Sequence, residues 1–192
     1  MRKVLIVSIV VFMLASCSMP ETKIYSLYVP VNSVTPVKKS VASISIVLDS
    51  PRYLDQPYIA YRKSPYQFAV SKYSKWDTSP SESVTAALKE RLYSTGLFRE
   101  VRASSVMPAG FYLLKVTLKK FEMYESGGSA FGELSFDTEL FSPDGSELSR
   151  DTITKGIKLE DKSYLSLAKG LSSALSEGAE EIKAKVVTFI SK

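Results

Sequence analysis

Few side chains in this protein could do chemistry, because its 192 residues include one cysteine and no histidine. Without histidine, a catalytic triad of the serine–histidine–aspartate type cannot form. Zinc sites built on histidine or on several cysteines are excluded too, as are intramolecular disulfides and CxxC redox pairs. Serine, lysine and carboxylate groups remain, so composition alone leaves a serine–lysine dyad or a carboxylate pair open.

No motif supports catalysis by the groups that remain. The sequence contains no G-x-S-x-G, no S-x-x-K with supporting motifs, no glycine-rich phosphate loop and no metal-ligand cluster. Asp137 and Glu139 share one face of a predicted strand, which is a common pattern on a solvated surface. We therefore expect a protein that is not an enzyme and that binds neither a cofactor nor a metal.

The only cysteine follows a distinctive N-terminal segment. Two basic residues precede an apolar run at 4–15, which is too short to span a bilayer core and is typical of a secretory signal. The run ends in LASC at 14–17, which resembles the bacterial lipobox, where the signal is cut before a lipid-carrying cysteine. We predict a signal peptide at 1–16 and N-acyl and S-diacylglycerol groups on Cys17. The alternative is a plain signal peptide with an incidental cysteine.

The charge balance argues against a nucleic-acid partner. The full chain has a formal net charge of +5, and removal of residues 1–16, with Arg2 and Lys3 and no acid, lowers it to +3. Lysine and glutamate are interspersed, so the basic patch that nucleic-acid binding requires is missing. A remainder without cysteine suits the oxidising periplasm. We expect a chain that is held on a membrane by its lipid and does not cross it.

The mature chain is predicted to form one α+β domain at 24–192, after a short leash at 17–23. Alternating apolar residues mark the strands, and each strand has one apolar side. We predict an antiparallel or mixed sheet with two helices packed on one face. The predicted strands are 24–29, 41–48, a hairpin of 58–63 and 66–71, 97–102, and an antiparallel meander of 111–124, 134–140 and 147–159.

The start of the first helix has a clear signal. The sequence SPSE at 79–82 predicts an N-cap serine, a proline at the first helical position and a capping box closed by Glu82. Gly96 is a suitable C-terminal stop. Arg91, near the end of the helix, is predicted to face water.

A second amphipathic helix is predicted at 162–190. Gly170 and Gly178 either weaken this helix or allow it to pack closely on a sheet. Its apolar stripe consists of Leu167, Leu171, Ala174, Leu175, Ala179, Ile182 and Val186.

The stretch 51–76 contains seven aromatic residues in 26 positions. One interpretation is core and cross-strand packing, because aromatic side chains are favoured in sheets. The other is a partner-binding surface, since tyrosine and tryptophan beside arginine are typical interface anchors. An exposed edge strand could also pair with a second copy, which leaves a homo-oligomer open. The candidate partner-binding residues are Tyr53, Tyr58, Tyr61, Arg62 and Trp76.

The middle of the chain resembles the ABC-type transport auxiliary lipoproteins, the PqiC-like lipoproteins that accompany MCE-protein lipid transporters. The matching pieces are KIYSL at 23–27 and YLDQPYIAYR at 53–62, followed by Trp76 and the first helix. In the family the second piece resembles YLDRPQIVxR, so that Gln56 stands where a basic residue is common. The resemblance extends over roughly residues 22–190.

This resemblance implies a non-catalytic lipoprotein on the periplasmic face of the outer membrane. It would dock onto the MCE-domain subunit of a transporter that also has an ATPase and a permease and that moves lipid between membranes. Ser18, in place of an aspartate after Cys17, is consistent with that destination. Two alternatives remain: a structural lipoprotein of another envelope assembly, and a small carrier that holds an acyl chain between sheet and helix.

Overall fold

The computed structural model describes residues 20–30, 42–105 and 108–190. The predicted signal peptide and the lipidation of Cys17 lie outside these residues and stay predictions. Among the described residues, no helix combines the length and the apolar character that a membrane span requires.

In the part of the chain that the structure describes, eight strands form one mixed sheet around a long central strand. In chain order they are β1 (Lys23–Tyr25), β2 (Ser43–Asp49), β3 (Tyr58–Ser64), β4 (Gln67–Trp76), β5 (Glu100–Ala103), β6 (Tyr112–Ser126), β7 (Ser129–Phe141) and β8 (Glu147–Lys158). On one side of β6 lie β7 and then β8, both antiparallel to their neighbours, which confirms the predicted meander. On its other side, β2 and β3 pair in parallel with successive parts of β6.

The remaining strands extend the sheet from β2 and β3. Strand β5 pairs in parallel with β2, while β4 pairs antiparallel with β3 and in parallel with β1. Strand β4 is longer than predicted and reaches Trp76, and β5 begins at Glu100. The predicted hairpin is therefore present as β3 and β4.

Two helices, α1 (Pro80–Tyr93) and α2 (Tyr164–Ile190), cover one face of the sheet. The predicted capping box is present: Glu82 N donates to Ser79 Oγ at 3.3 Å, and Ser79 N donates to Glu82 Oε2 at 3.1 Å. The backbone turns out of α1 with a positive φ of 67° at Gly96, which suits glycine. The structure thus confirms a single α+β domain with a mixed sheet and two helices.

Helix α2 lies unusually close to the sheet. All seven residues of its predicted stripe are buried. A Cβ atom at Gly178 would lie 2.9 Å from Cε2 of Phe136, and one at Gly170 would lie 2.7 Å from Cδ2 of Leu159. Of the two roles expected for these glycines, close packing on the sheet is the one observed.

A bulge in β6 changes which residues face the helices. Its register with β7 shifts between Leu118 and Lys120, which places one extra residue in β6. Leu118 and the alternate residues before it are buried, and after the bulge Phe121 and Met123 are buried instead. Glu122, which unbroken alternation would place on the same face as Leu118, therefore lies on the opposite face.

The first strand is shorter than the predicted 24–29, because the chain leaves the sheet after Tyr25. Residues 26–30, which we call the N-terminal segment, run across the two helices. Tyr28 N donates to Ser172 Oγ of α2 at 3.0 Å. Backbone groups of this segment bond to side chains of the helices, and for that reason it does not continue as a strand.

Arg91 is buried, contrary to the prediction that it faces water. Its Nη2 donates to the carbonyl oxygen of Pro30 at 2.8 Å and to Ser176 Oγ at 3.0 Å. The carboxylate of Glu180 lies 3.9 Å from Nη1. Arg91 lies seven residues after Val84 and three after Leu88, so helical periodicity places it on the buried side of α1 despite its charge. There α2 and the N-terminal segment cover it and satisfy the guanidinium.

We expect Gly178→Ala to lower the free energy of unfolding by about 1 kcal/mol or more. Overpacking a filled core costs ~1–3 kcal/mol, whereas alanine gains at most ~1 kcal/mol over glycine in helix propensity. Urea unfolding followed by circular dichroism measures the difference. Ser173→Ala, on the exposed side of the same helix, is the control and should change stability by no more than ~0.5 kcal/mol. Equal stability of Gly178→Ala and the wild type would show that Phe136 can move aside.

Candidate partner-binding site

The sheet face opposite the helices, here called the open face, carries the main cluster of candidate residues. Strand β3 aligns with the end of β6 so that Ala60 is beside Glu122 and Arg62 is beside Tyr124. On the other side of β3, Arg62 is beside Phe68 of β4. Neighbouring residues in register point to the same face, so Arg62, Phe68 and Glu122 meet there.

An ion pair between Arg62 and Glu122 lies at the centre of the open face. Arg62 Nε donates to Glu122 Oε1 at 2.5 Å. The Glu122 side chain is 0% exposed, while that of Arg62 is partly open to solvent. A buried carboxylate is costly without a charged partner and hydrogen bonds. Arg62 therefore stabilises Glu122 and ties β3 to β6.

Two aromatic rings cover this ion pair. The Tyr53 ring meets the Phe68 ring edge-on, with centroids 4.8 Å apart. The guanidinium carbon of Arg62 lies 5.0 Å from the centroid of Phe68, within the range of a cation–π interaction. The Tyr53 hydroxyl lies 3.5 Å from Glu122 Oε2. We call Tyr53, Arg62, Phe68 and Glu122 the Arg62 cluster.

The Arg62 cluster fixes the protonation states of its phenol and guanidinium at neutral pH. Burial, followed by the nearby charge of Glu122, raises the pKa of Tyr53 from 10.0 to about 12. The hydrogen bond to Glu122 raises the pKa of the Arg62 guanidinium. At neutral pH the tyrosine is a neutral phenol and the arginine is a fixed cation, so neither group is prepared to transfer a proton.

The structure places the five predicted partner-binding residues in different environments. Tyr53 and Arg62 belong to the Arg62 cluster, and Tyr58, at the start of β3, is 44% exposed. Tyr61 is partly buried and packs against the core. These four remain candidates. Arg62 is part of the ion pair with Glu122, and the Tyr53 hydroxyl lies within 3.5 Å of Glu122.

Trp76 is a core residue and is withdrawn as a surface candidate. It is 2% exposed, and its ring meets that of Phe121 edge-on with centroids 5.7 Å apart. A side chain this buried has no surface to offer a partner. Its position at the end of β4, just before α1, turns it toward the helix-covered face.

Sequence reasoning missed Glu122 and Phe68. Glu122 was hidden because the bulge in β6 reverses the alternation of its side chains. The adjacent lysines Lys119 and Lys120 are the available signal, since two polar residues in succession interrupt an alternating strand. Phe68 is one of the seven aromatic residues of the stretch 51–76 and is not among the predicted partner-binding residues.

The two carboxylates considered for acid–base chemistry are used in cross-strand pairing. Asp137 binds Lys119 at 2.5 Å and accepts a hydrogen bond from Thr152. Glu139 lies 3.7 Å from Lys115 and 3.5 Å from Arg150 of β8. Among residues 20–30, 42–105 and 108–190, no group of His, Cys, Asp and Glu side chains could hold a metal ion.

We expect Arg62→Met to lower the free energy of unfolding by about 2 kcal/mol or more, because it leaves Glu122 buried without a cation. Lys63→Met, on the same strand and exposed, should cost no more than ~0.5 kcal/mol. The double variant Arg62→Met/Glu122→Leu should recover most of the loss, since no charge then stays buried. Chemical denaturation of the four proteins tests this, and a double variant no more stable than Arg62→Met would contradict it.

The raised pKa of Tyr53 predicts a pH dependence at the alkaline end. Folding holds the phenol proton more tightly, so this contribution to stability is complete below pH 10 and is lost as pH rises toward about 12. We expect Tyr53→Phe to make the fall in stability between these values shallower. In a near-ultraviolet absorbance titration, the step that the substitution removes should lie close to 12. If the substitution instead removes a step close to pH 10, the pKa of Tyr53 is not raised.

Comparison with solved structures shows what the fold is similar to. A protein from Xanthomonas campestris, XCC0632, superposes with a TM-score of 0.74 at 18% identity, covering 87% of this chain and 96% of its own. An uncharacterized protein superposes with a TM-score of 0.66 at 17% identity, covering 86% of this chain and 99% of its own. The hypothetical protein CT253 from Chlamydia trachomatis superposes with a TM-score of 0.50 at 10% identity, covering 78% of this chain and 98% of its own. At these identities the likeness concerns the fold alone.

No curated protein matches the chain. The sequence of one protein family does match this chain, from residue 25 to residue 183. The matched region includes the Arg62 cluster, the whole β6–β8 meander and most of α2. The chain therefore belongs to the ABC-type transport auxiliary lipoprotein component family.

Proposed function

We propose that this protein is an outer-membrane lipoprotein, anchored through Cys17, that binds the MCE-domain subunit of an ABC-type lipid transporter on the periplasmic side. The observation that carries the proposal is the family match over residues 25–183. Membership of a family of transport auxiliary components supports association with a transporter and a role without catalysis. Membership of a lipoprotein family supports a membrane-anchored place in the envelope.

The open face around the Arg62 cluster is the proposed binding surface. Tyr58, Phe68 and Val70 are exposed there beside a guanidinium that the cluster holds in place. Interfaces commonly gain their affinity from a few aromatic and arginine side chains, and side chains held before binding lose less entropy. Glu122 is buried beneath this surface and fixes the position of Arg62.

The carrier alternative gains no support from the region between sheet and helix. Phe136 and Leu159 fill the space beneath Gly178 and Gly170, which leaves no room for an acyl chain there. A groove of about 430 Å³ lies between the N-terminal segment and α2, but it lies outside the space between sheet and helix and is open to solvent. The structural-lipoprotein alternative differs from the proposal only in its partner, so partner identification separates the two.

We expect an MCE-domain protein, with a permease or an ATPase, to co-purify with the lipidated protein from crosslinked envelope extracts. Tyr58→Ser should lower its recovery by about tenfold, in the range of an interface hot spot. Mass spectrometry of the captured proteins, with quantification of the MCE subunit, is the measurement.

Tyr93→Ser is the matched control, because Tyr93 is also an exposed tyrosine, 57% accessible, but lies at the end of α1. It should leave recovery unchanged. Equal recovery with both variants would place the partner elsewhere on the surface. If other envelope proteins are captured and an MCE protein is absent even after crosslinking, the structural-lipoprotein alternative replaces this proposal.

A further inference from the structure

The β3–β4 hairpin has an unbalanced charge. From Tyr58 to Trp76 the sequence contains four basic residues and no acidic one. Arg62 is engaged by Glu122, while Lys63, Lys72 and Lys75 are exposed. Glu125, at the end of β6, acts on Lys63 from outside the hairpin, but it is itself paired with Lys162 at 2.5 Å. The hairpin therefore presents a positive surface.

The turn and the outer edge of the hairpin also expose aromatic side chains. Tyr66, in the turn between the strands, is 98% exposed, and Tyr73 on β4 is exposed as well. Strand β1 pairs with β4 only at Ser74–Trp76. Among the described residues, no strand covers the outer edge of β4 from Gln67 to Tyr73. Tyrosine beside lysine is the composition that suits a membrane–water interface.

The direction of β1 relates this surface to the lipid anchor. Strand β1 is parallel to β4, with Lys23 beside Ser74 and Tyr25 beside Trp76. Since β4 runs from the hairpin turn toward Trp76, the chain before Lys23 enters β1 from the side of the turn. Residues 20–22, which connect β1 to the predicted lipidation site, therefore approach the domain from the same side as Tyr66.

Chain length limits the distance between the anchor and the turn. Six residue steps separate Cys17 from Lys23 and can span at most about 20 Å. Seven steps separate Ser74 from Gln67 in β4, which in a regular strand would cover roughly 23 Å. The span along the sheet is shorter here, because between Val70 and Lys75 five steps of β4 oppose only two steps of β3. The anchor can thus reach the level of the hairpin turn, so the domain is held with this end near the membrane.

We propose that the turn and outer edge of the β3–β4 hairpin lie against the anionic headgroups of the membrane that holds the protein. This rests on the lipid at Cys17, which is part of the proposed function. Lys63 and Lys72 attract the headgroups, and Tyr66 places its ring at the interface. Tyr58, at the base of the hairpin, is then directed away from the membrane, where a partner can reach it.

The test uses the full lipidated protein with a second tryptophan as a depth probe. We expect Tyr66→Trp, reconstituted in vesicles of phosphatidylcholine and phosphatidylglycerol, to shift its emission to the blue and to be protected from aqueous acrylamide. Lipids that carry a quencher near the headgroup should lower the emission of the introduced tryptophan. Tyr93→Trp, an exposed tyrosine on α1, is the control and should show neither effect.

Charge provides a second variant. Adding Lys63→Gln and Lys72→Gln to Tyr66→Trp should lower the docked-to-undocked ratio on the order of twentyfold, because each lysine near an anionic surface contributes about fivefold. The same loss should follow when phosphatidylcholine alone is used. Both substitutions are on exposed side chains, so circular dichroism should show an unchanged fold.

The outcomes separate this inference from the proposed function. The mass of the purified chain shows whether Cys17 carries lipid, and an unmodified mass overturns both proposals. A lipidated chain whose Tyr66→Trp stays open to acrylamide on anionic vesicles overturns the docking alone. Protection that arises without vesicles and grows with protein concentration shows that a second copy covers the hairpin, which also overturns it.

Discussion

The fold depends on a requirement placed on β6, the strand from which every other part of the sheet extends. It must offer apolar side chains to the core over 15 residues, although two consecutive lysines interrupt its pattern. The bulge meets this requirement by adding one residue and restoring alternation beyond it. If the strand alternated regularly through the two lysines, with no bulge, Phe121 and Met123 would lie on the open face and the charged residues Lys120 and Glu122 on the core side.

The same bulge creates the polar centre of the open face. It transfers Glu122 to that face, where the side chain is still buried and needs a cation. Arg62 supplies the cation from β3, and Tyr53 and Phe68 pack beside the pair. The bulge that keeps apolar residues on the core side of the sheet thus also gives the open face a guanidinium held in a fixed position. The ion pairs of β7 and β8, by contrast, are exposed.

Local patterns in the sequence were sufficient for most of the elements. The capping box of α1, the stripe of α2, the meander and the placement of both helices on one face follow from periodicity and from turn residues. Burial of Trp76 did not follow, because it depends on which distant segment covers it. For Arg91 the charge favours the surface, although its spacing from Val84 and Leu88 places it on the buried side of α1. The bulge was missed because one inserted residue changes the face of all those after it, and its position is settled by the burial of Phe121 and Met123 in the core.

Parallel pairing of β1 with β4, together with the bond from Arg91 to Pro30, has a mechanical consequence. In a chain held at Cys17, tension between membrane and domain reaches β1 before any other element. Pulling along a strand loads its hydrogen bonds together in shear instead of one at a time, so even three paired residues resist as a unit. Behind β1, the N-terminal segment is fastened to both helices. The domain therefore has two attachments in series between its anchor and its core, and the outer one can yield while the inner one still holds.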